Sequence, residues 1–263
     1  RNMGNETNPV YEEETTSFIG KNMGQMLSPE FGDLDGDGDM DLLLGDFNGF
    51  MQYHENVSTD DELIFNLIGN VGDIDLSGNS VPTLGDLDGD GDLDLLIGQL
   101  NGSLVFHRNM GTNLEHVFME EEFADVQVSS NSAPELMDVD DDGDLDLFLG
   151  SGSEGLLFHE NVGNEVNYQF QPDSSLFIPF IGPNVKPAVG RLFHDEKLDI
   201  ITGLVTGGLY HIQSADCVDL GDLSGDATWN ILDIVALANC VLASNCEEQV
   251  NGCVGDMNGD GTW

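Results

Sequence analysis

Positive charge is almost missing from this chain: 6 Lys and Arg stand against 50 Asp and Glu over 263 residues, a formal net charge of −44. Phosphate backbones are gripped by clusters of Lys and Arg, so this composition argues against a nucleic-acid partner and disfavours an anionic membrane surface. No apolar run reaches the length of about 18 residues that a spanning helix needs, and membrane insertion is not expected. Cysteine is absent from the first 216 residues, and all four stand together at Cys217, Cys240, Cys246 and Cys253. Such clustering predicts local disulfides in an oxidising compartment; zinc is the alternative, without a tight Cys-x-x-Cys pair to favour it. Also missing are a G-x-S-x-G turn, a Cys/His nucleophile constellation and a phosphate loop, so the chain is not expected to be an enzyme. Hydrophobic content is ordinary at 40%, which argues against wholesale disorder.

What is present is a repeat. Gly32-Asp33-Leu34-Asp35-Gly36-Asp37-Gly38-Asp39-Met40-Asp41 recurs at Gly85 to Asp94 and, with small changes, at Met137 to Asp146. The first aspartates stand at 33, 86 and 138, in steps of 53 and 52, and a fourth, eroded copy ends at Asp199. Behind each loop follows an apolar run ending in Gly: Leu42 to Gly45, Leu95 to Gly98, Leu147 to Gly150, Ile200 to Gly203. A turn comes next (Asn48-Gly49, Asn101-Gly102, Glu154-Gly155, Gly207-Gly208), then an aromatic–His pair ending in His54, His107, His159 or His211. An apolar run, a Gly turn and a second run read as a β-hairpin. Units of about 52 residues with three or four strands cannot bury both faces alone, so they are expected to pack radially, as blades of a β-propeller. Arg1-Asn2-Met3-Gly4 matches Arg108-Asn109-Met110-Gly111, so the chain is expected to open inside an earlier blade, and the intact propeller to hold more blades. The missing initiator Met and signal peptide then say nothing about export.

The carboxylates alternate over nine residues in each of the first three loops. Side by side they repel by on the order of a kcal/mol or more per pair, and no Lys or Arg stands nearby in the sequence. A hard divalent cation with oxygen ligands relieves that repulsion, and Ca²⁺ accepts six to eight oxygens in such a turn. The alternative is an acidic turn held by solvent alone, which three near-identical copies disfavour. The repeated histidines read either as strand packing or as a ring lining a metal or sugar site, and packing is the simpler account, since equivalent positions of neighbouring blades lie far apart.

These motifs resemble the FG-GAP/VCBS repeats of integrin-like β-propellers, whose loops carry D-x-D-x-D-G-x-x-D. The resemblance implies a mainly β fold, with calcium held in the loops of each blade. By analogy with loops of this type, positions one, three, five and nine give side-chain oxygens and position seven its carbonyl. That assigns Asp33, Asp35, Asp37 and Asp41, with Asp39 through its C=O, to the first loop. Asp86, Asp88, Asp90, Asp92 and Asp94 take the same roles in the second loop, and Asp138, Asp140, Asp142, Asp144 and Asp146 in the third. In the fourth copy Arg191 and Phe193 replace the first two aspartates, while Asp195 and Asp199 survive. No metal is expected there, with Arg191 supplying positive charge opposite Asp199.

A domain boundary is expected at 213/214. The propeller covers 1–213, as a partial blade over 1–27 and then four repeats; a small α-helical, EF-hand-like module covers 214–263. Oxygen ligands at Asp222, Ser224, Asp226, Thr228, Asn230 and Asp233 have EF-hand spacing and run into an apolar stripe at helical spacing. A second copy begins at Asp256, Asn258 and Asp260 and stops in mid-motif at Trp263. This segment resembles a dockerin, which implies calcium ligation by these residues, Thr228 through its carbonyl, and docking onto a cohesin-like partner. Ile231-Leu232 stands where cellulosomal dockerins carry a Ser/Thr-type pair, so an apolar docking face or a structural calcium cap is the alternative. Pairing Cys240 with Cys246 and Cys217 with Cys253 is one of three possibilities. The expected function is that of a secreted or cell-surface calcium-binding module for adhesion or display, with an extracellular protein or glycan as ligand. The alternative is the non-catalytic end of a larger secreted polysaccharide-degrading enzyme.

Overall fold

The computed structural model describes residues 25–59, 62–71, 74, 76, 78–123, 126–164, 166–173, 182–192, 198–203 and 207–213. The C-terminal motif with its helix, the cysteine pairings and the partial blade before residue 25 lie outside the described residues. So do Phe193 and Asp195 of the fourth copy.

Four antiparallel sheets follow one another along the chain, one per repeat. The first holds β1 (Ser28–Gly32), β2 (Asp41–Gly45), β3 (Met51–Asn56) and β4 (Phe65–Asn70) in sequential order. The second holds β5 (Val81–Gly85), β6 (Asp94–Gly98), β7 (Leu104–Asn109) and β8 (Phe118–Glu121). The third holds β9 (Ala133–Met137), β10 (Asp146–Gly150), β11 (Leu156–Asn161) and β12 (Phe170–Pro172). In the fourth, β13 (Lys186–Gly190), β14 (Asp199–Gly203) and β15 (Leu209–Gln213) are described. The first strands lie side by side, β1 on β5, β5 on β9 and β9 on β13, which makes the arrangement a four-bladed, propeller-like one. No helix occurs among the described residues.

The second strand of each blade explains the packing. β2, β6 and β10 are buried at every position, so they read as unbroken apolar runs rather than as alternation. Leu43, Met51 and Tyr53 of the first blade meet Leu95 and Ile97 of the second. The opposite face of the second blade, with Leu96 and Phe106, meets Leu147, Leu149 and Phe170 of the third. Each such side chain, fully buried, contributes roughly 1.5–3 kcal/mol.

A terminal Gly lets the next blade's backbone approach. A Cβ on Gly45 would lie 2.2 Å from the Ser80 carbonyl oxygen, and one on Gly98 2.2 Å from that of Ser132. Those serines act as pegs: Ser132 N–H donates to the Gln99 carbonyl (3.1 Å), while its Oγ accepts from Gln99 N–H (2.7 Å). Just before each first strand stands a residue with left-handed backbone: Met26, Asn79, Asn131 and Asn184, with φ of 54°, 53°, 49° and 53°. Asn79 Nδ2 donates to Asn131 Oδ1 (3.4 Å) and Asn131 Nδ2 to Asn184 Oδ1 (3.0 Å), which stitches three blades together at the axis. Lys186 Nζ donates to Ser28 Oγ at 2.8 Å and spans the seam between the fourth blade and the first.

Candidate metal centre

Each acidic loop connects the first and second strands of its blade, so the strand pairing brings its two ends together. In the first loop Gly36 and Gly38 take φ of 73° and 93°, which lets the chain wrap around its first carboxylate. Asp33 Oδ1 accepts from Gly36 N–H (2.7 Å) and Oδ2 from Gly38 N–H (3.0 Å). Asp86 repeats both bonds with Gly89 (2.7 Å) and Gly91 (3.0 Å). In the third loop Asp141 takes the left-handed conformation at φ 62°, and Asp138 Oδ2 accepts from Gly143 N–H (3.1 Å).

The result is three clusters. In Asp33/Asp35/Asp37, Asp86/Asp88/Asp90 and Asp138/Asp140/Asp142, one carboxylate oxygen per residue lies within 4.8 Å of the others, a geometry that can bind a metal. The ninth-position residues stand apart from these triads. Asp41, 1% exposed, accepts from Leu34 N–H through Oδ2 (3.0 Å), from Asn56 N–H through Oδ1 (2.8 Å) and from the Tyr53 hydroxyl (3.0 Å). Asp94 and Asp146 make the same two backbone bonds, to Leu87 and Asn109 and to Val139 and Asn161. A carboxylate oxygen has two lone pairs, so Asp94 and Asp146 keep one on each oxygen, whereas Asp41 keeps one on Oδ1 alone. The seventh position differs between loops: Asp39 is exposed, whereas the Asp92 and Asp144 side chains are buried.

Burial, then repulsion from Asp90, Asp88 and Asp86, pushes the Asp92 carboxyl up to about 6. Burial and the other aspartates of its loop push Asp144 up to about 6 as well. Burial raises Asp94 to about 6 against the pull of its backbone donors. Two buried carboxylate oxygens, Asp92 Oδ1 and Asp138 Oδ1, have no hydrogen-bond partner. Hard oxygen donors, no nitrogen or sulfur within the triads, and orphaned buried oxygens are what a hard cation such as Ca²⁺ requires, and the residues fit it.

Two expectations need correction. The sequence shows no cation near these loops, but the fold supplies two. Arg108 of β7 ion-pairs through Nη1 with Asp88 Oδ2 and through Nε with Glu121 Oε2 (3.0 Å). Arg191, expected opposite Asp199, instead reaches the third loop, where Nη2 lies 3.1 Å from Asp141 Oδ1 and donates to the Val139 carbonyl (3.1 Å). Asp199 accepts from Leu192 N–H (2.8 Å) and meets His211 Nε2 at 2.6 Å, so the fourth copy keeps the ninth-position role without the triad's first two carboxylates. His54, His107 and His159 are buried in the third strands of separate blades, opposite Leu42, Leu95 and Leu147.

Sequence reasoning missed the axial residues. Glu30 of β1 and Glu135 of β9 are both largely buried, and Glu30 Oε1 accepts from Leu84 N–H of the neighbouring blade (3.1 Å). The repeated Asn-Ser at Asn79-Ser80 and Asn131-Ser132, directly ahead of β5 and β9, is the sequence signal for the pegs. Comparison with known protein families and with curated proteins finds no match for the chain.

Proposed function

We propose that this protein is a calcium-loaded, non-enzymatic propeller of the FG-GAP/VCBS kind. It is exported from the cell and works as a rigid binding or display module for an extracellular protein or glycan, with the dockerin-like tail as its tether. The observation that carries the reading is the threefold recurrence of a carboxylate triad with oxygens inside 4.8 Å, beside buried carboxylate oxygens that lack donors. When bound, Ca²⁺ would offset two of the negative charges that each loop carries. The chain's own contribution is to hold the ligands: glycines shape the turn, and the ninth-position aspartates anchor it to the second and third strands.

Stability should follow calcium. A site filled at a hundred times its dissociation constant adds about 2.7 kcal/mol, so three sites add about 8 kcal/mol, a large share but not the whole of what holds a domain of this size together. Elemental analysis of protein purified without chelator should find at least three calcium ions per chain, and EGTA should lower the melting temperature by more than about 10 °C. EGTA should also abolish binding to any glycan or protein captured from arrays. Protein free of calcium, with one melting curve in calcium and in EGTA, would overturn the proposal.

A further inference from the structure

The three loops share a triad but not the charge standing beside it. The residue after the repeated His is Glu55 in β3, Arg108 in β7 and Glu160 in β11. These positions are equivalent in register, because His54, His107 and His159 each pair with the second residue of their neighbouring strand: Leu42, Leu95 and Leu147. Among the described blades, the second alone has a guanidinium at this place. Its side chain is 29% exposed, it touches Asp88 Oδ2, and Glu121 of β8 holds it there from the far side at 3.0 Å. It also pulls on Asp94, the ninth-position residue of the same loop. Arg191 near the third loop is different in kind, since it contacts the exposed Asp141, which lies outside the triad.

We propose that Arg108 is an internal counter-cation of the second loop, so that calcium fills the first and third loops before the second. The inference rests on the calcium reading above and adds an order of filling to it. Asp88 supplies one of the three triad oxygens. An ion entering that triad meets a fixed positive charge on one of its own ligands and must displace it or share the carboxylate with it. Arg stays protonated at every pH the protein survives, so pH does not remove the competition. The sister loops carry a carboxylate at the same place, which adds attraction. Exchanging Glu for Arg there changes the local charge by two units within a few ångströms of the ion, and the expected effect on affinity is about tenfold or more. The same contact relieves repulsion in the empty loop, so the second blade depends less on calcium for its folding.

The test is calcium titration by calorimetry, with ions counted by native mass spectrometry, on the full chain and on R108Q, E55R and D86N. Wild-type protein should show one propeller site about tenfold weaker than the two others, and D86N should lose that weak site alone. R108Q should tighten it about tenfold, merging it with the rest, and should lower the melting temperature in EGTA more than in calcium. The reciprocal E55R should weaken one of the two tight sites by a similar factor. R108Q that leaves the affinities unchanged, or that weakens a site, overturns the role of Arg108 while leaving calcium binding intact. Wild-type protein that takes up no calcium overturns both readings together.

Discussion

Replacing Glu30 by Gln should stabilise the protein above neutral pH and leave it unchanged near pH 4. Burial, and then the Glu135 carboxylate across the axis, push the Glu30 carboxyl from 4.5 up to about 8, against the downward pull of the bond from Leu84 N–H. Glu135 itself is raised to about 7 by burial, with a backbone bond from Val189 opposing. In the unfolded chain Glu30 ionises near 4.5, so between that pH and 8 the unfolded chain has released a proton that the folded one retains. Stability therefore falls as pH rises through this window and levels off above it. At 1.36 kcal/mol per tenfold, the full effect above pH 8 is about 5 kcal/mol, part of it shared with Glu135. Gln keeps an oxygen for Leu84 N–H and offers a donor where the neutral acid has its hydroxyl, so the variant escapes most of the penalty. A chain of this size gains roughly 2–4 °C per kcal/mol, which puts the variant about 6–12 °C above wild type at pH 8.5. Thermal melts followed by far-UV circular dichroism from pH 4 to 9, at fixed free calcium, give the difference curve directly. A constant difference across that range would show that Glu30 titrates normally and would refute the reasoning.

Gly98→Ala should lower the melting temperature by about 5 °C or more, because its Cβ would stand 2.2 Å from the Ser132 carbonyl oxygen and 2.7 Å from Pro134 Cδ, at a typical cost of about 1–3 kcal/mol. Gly203→Ala is the internal control: among the described residues its nearest neighbour is Leu209 Cδ2 at 3.9 Å, and its melting curve should stay within a degree or two of wild type. Asp41→Ala strands two backbone donors and the Tyr53 hydroxyl, and should cost about 3–5 kcal/mol in urea unfolding. That loss should persist in EGTA, whereas Asp37→Asn, in the triad but away from those donors, should matter only when calcium is present.

The blades were legible because their signal is local and repeated. The runs at Leu42, Leu95, Leu147 and Ile200 became second strands, and the Asn-Gly turns closed the hairpins with Gly49 and Gly102 at positive φ. The triads were legible for the same reason, since positions one, three and five of one turn cannot lie far apart. What stayed hidden depends on neighbours supplied by other blades. Nothing near Glu30 in sequence reports that Leu84 and Glu135 face it. Arg108 stands 20 residues from Asp88, and only the β6–β7 pairing folds it back over the loop. The unequal burial of the seventh-position side chains, with Asp39 exposed and Asp92 and Asp144 buried, likewise has no counterpart in the near-identical loop sequences.

The ninth aspartate explains why charge and fold are inseparable in this protein. It is the last residue of the acidic turn and the first of the second strand, and it binds the N–H of the turn's second residue as well as the Asn that ends the third strand. An ion held in the triad would therefore sit in a turn whose last residue is already fixed to two strands. The fourth copy shows what survives when the triad's first two carboxylates are replaced: Asp199 keeps its bond to Leu192 N–H and turns its other oxygen to His211. Where the triad is lost the anchor persists, which places the anchor's origin in the backbone donors rather than in the ion. On the calcium reading, a metal would tighten a turn that hydrogen bonds have already closed. That order predicts that calcium-free protein keeps its blade pairing while losing stability, and not that it unfolds outright.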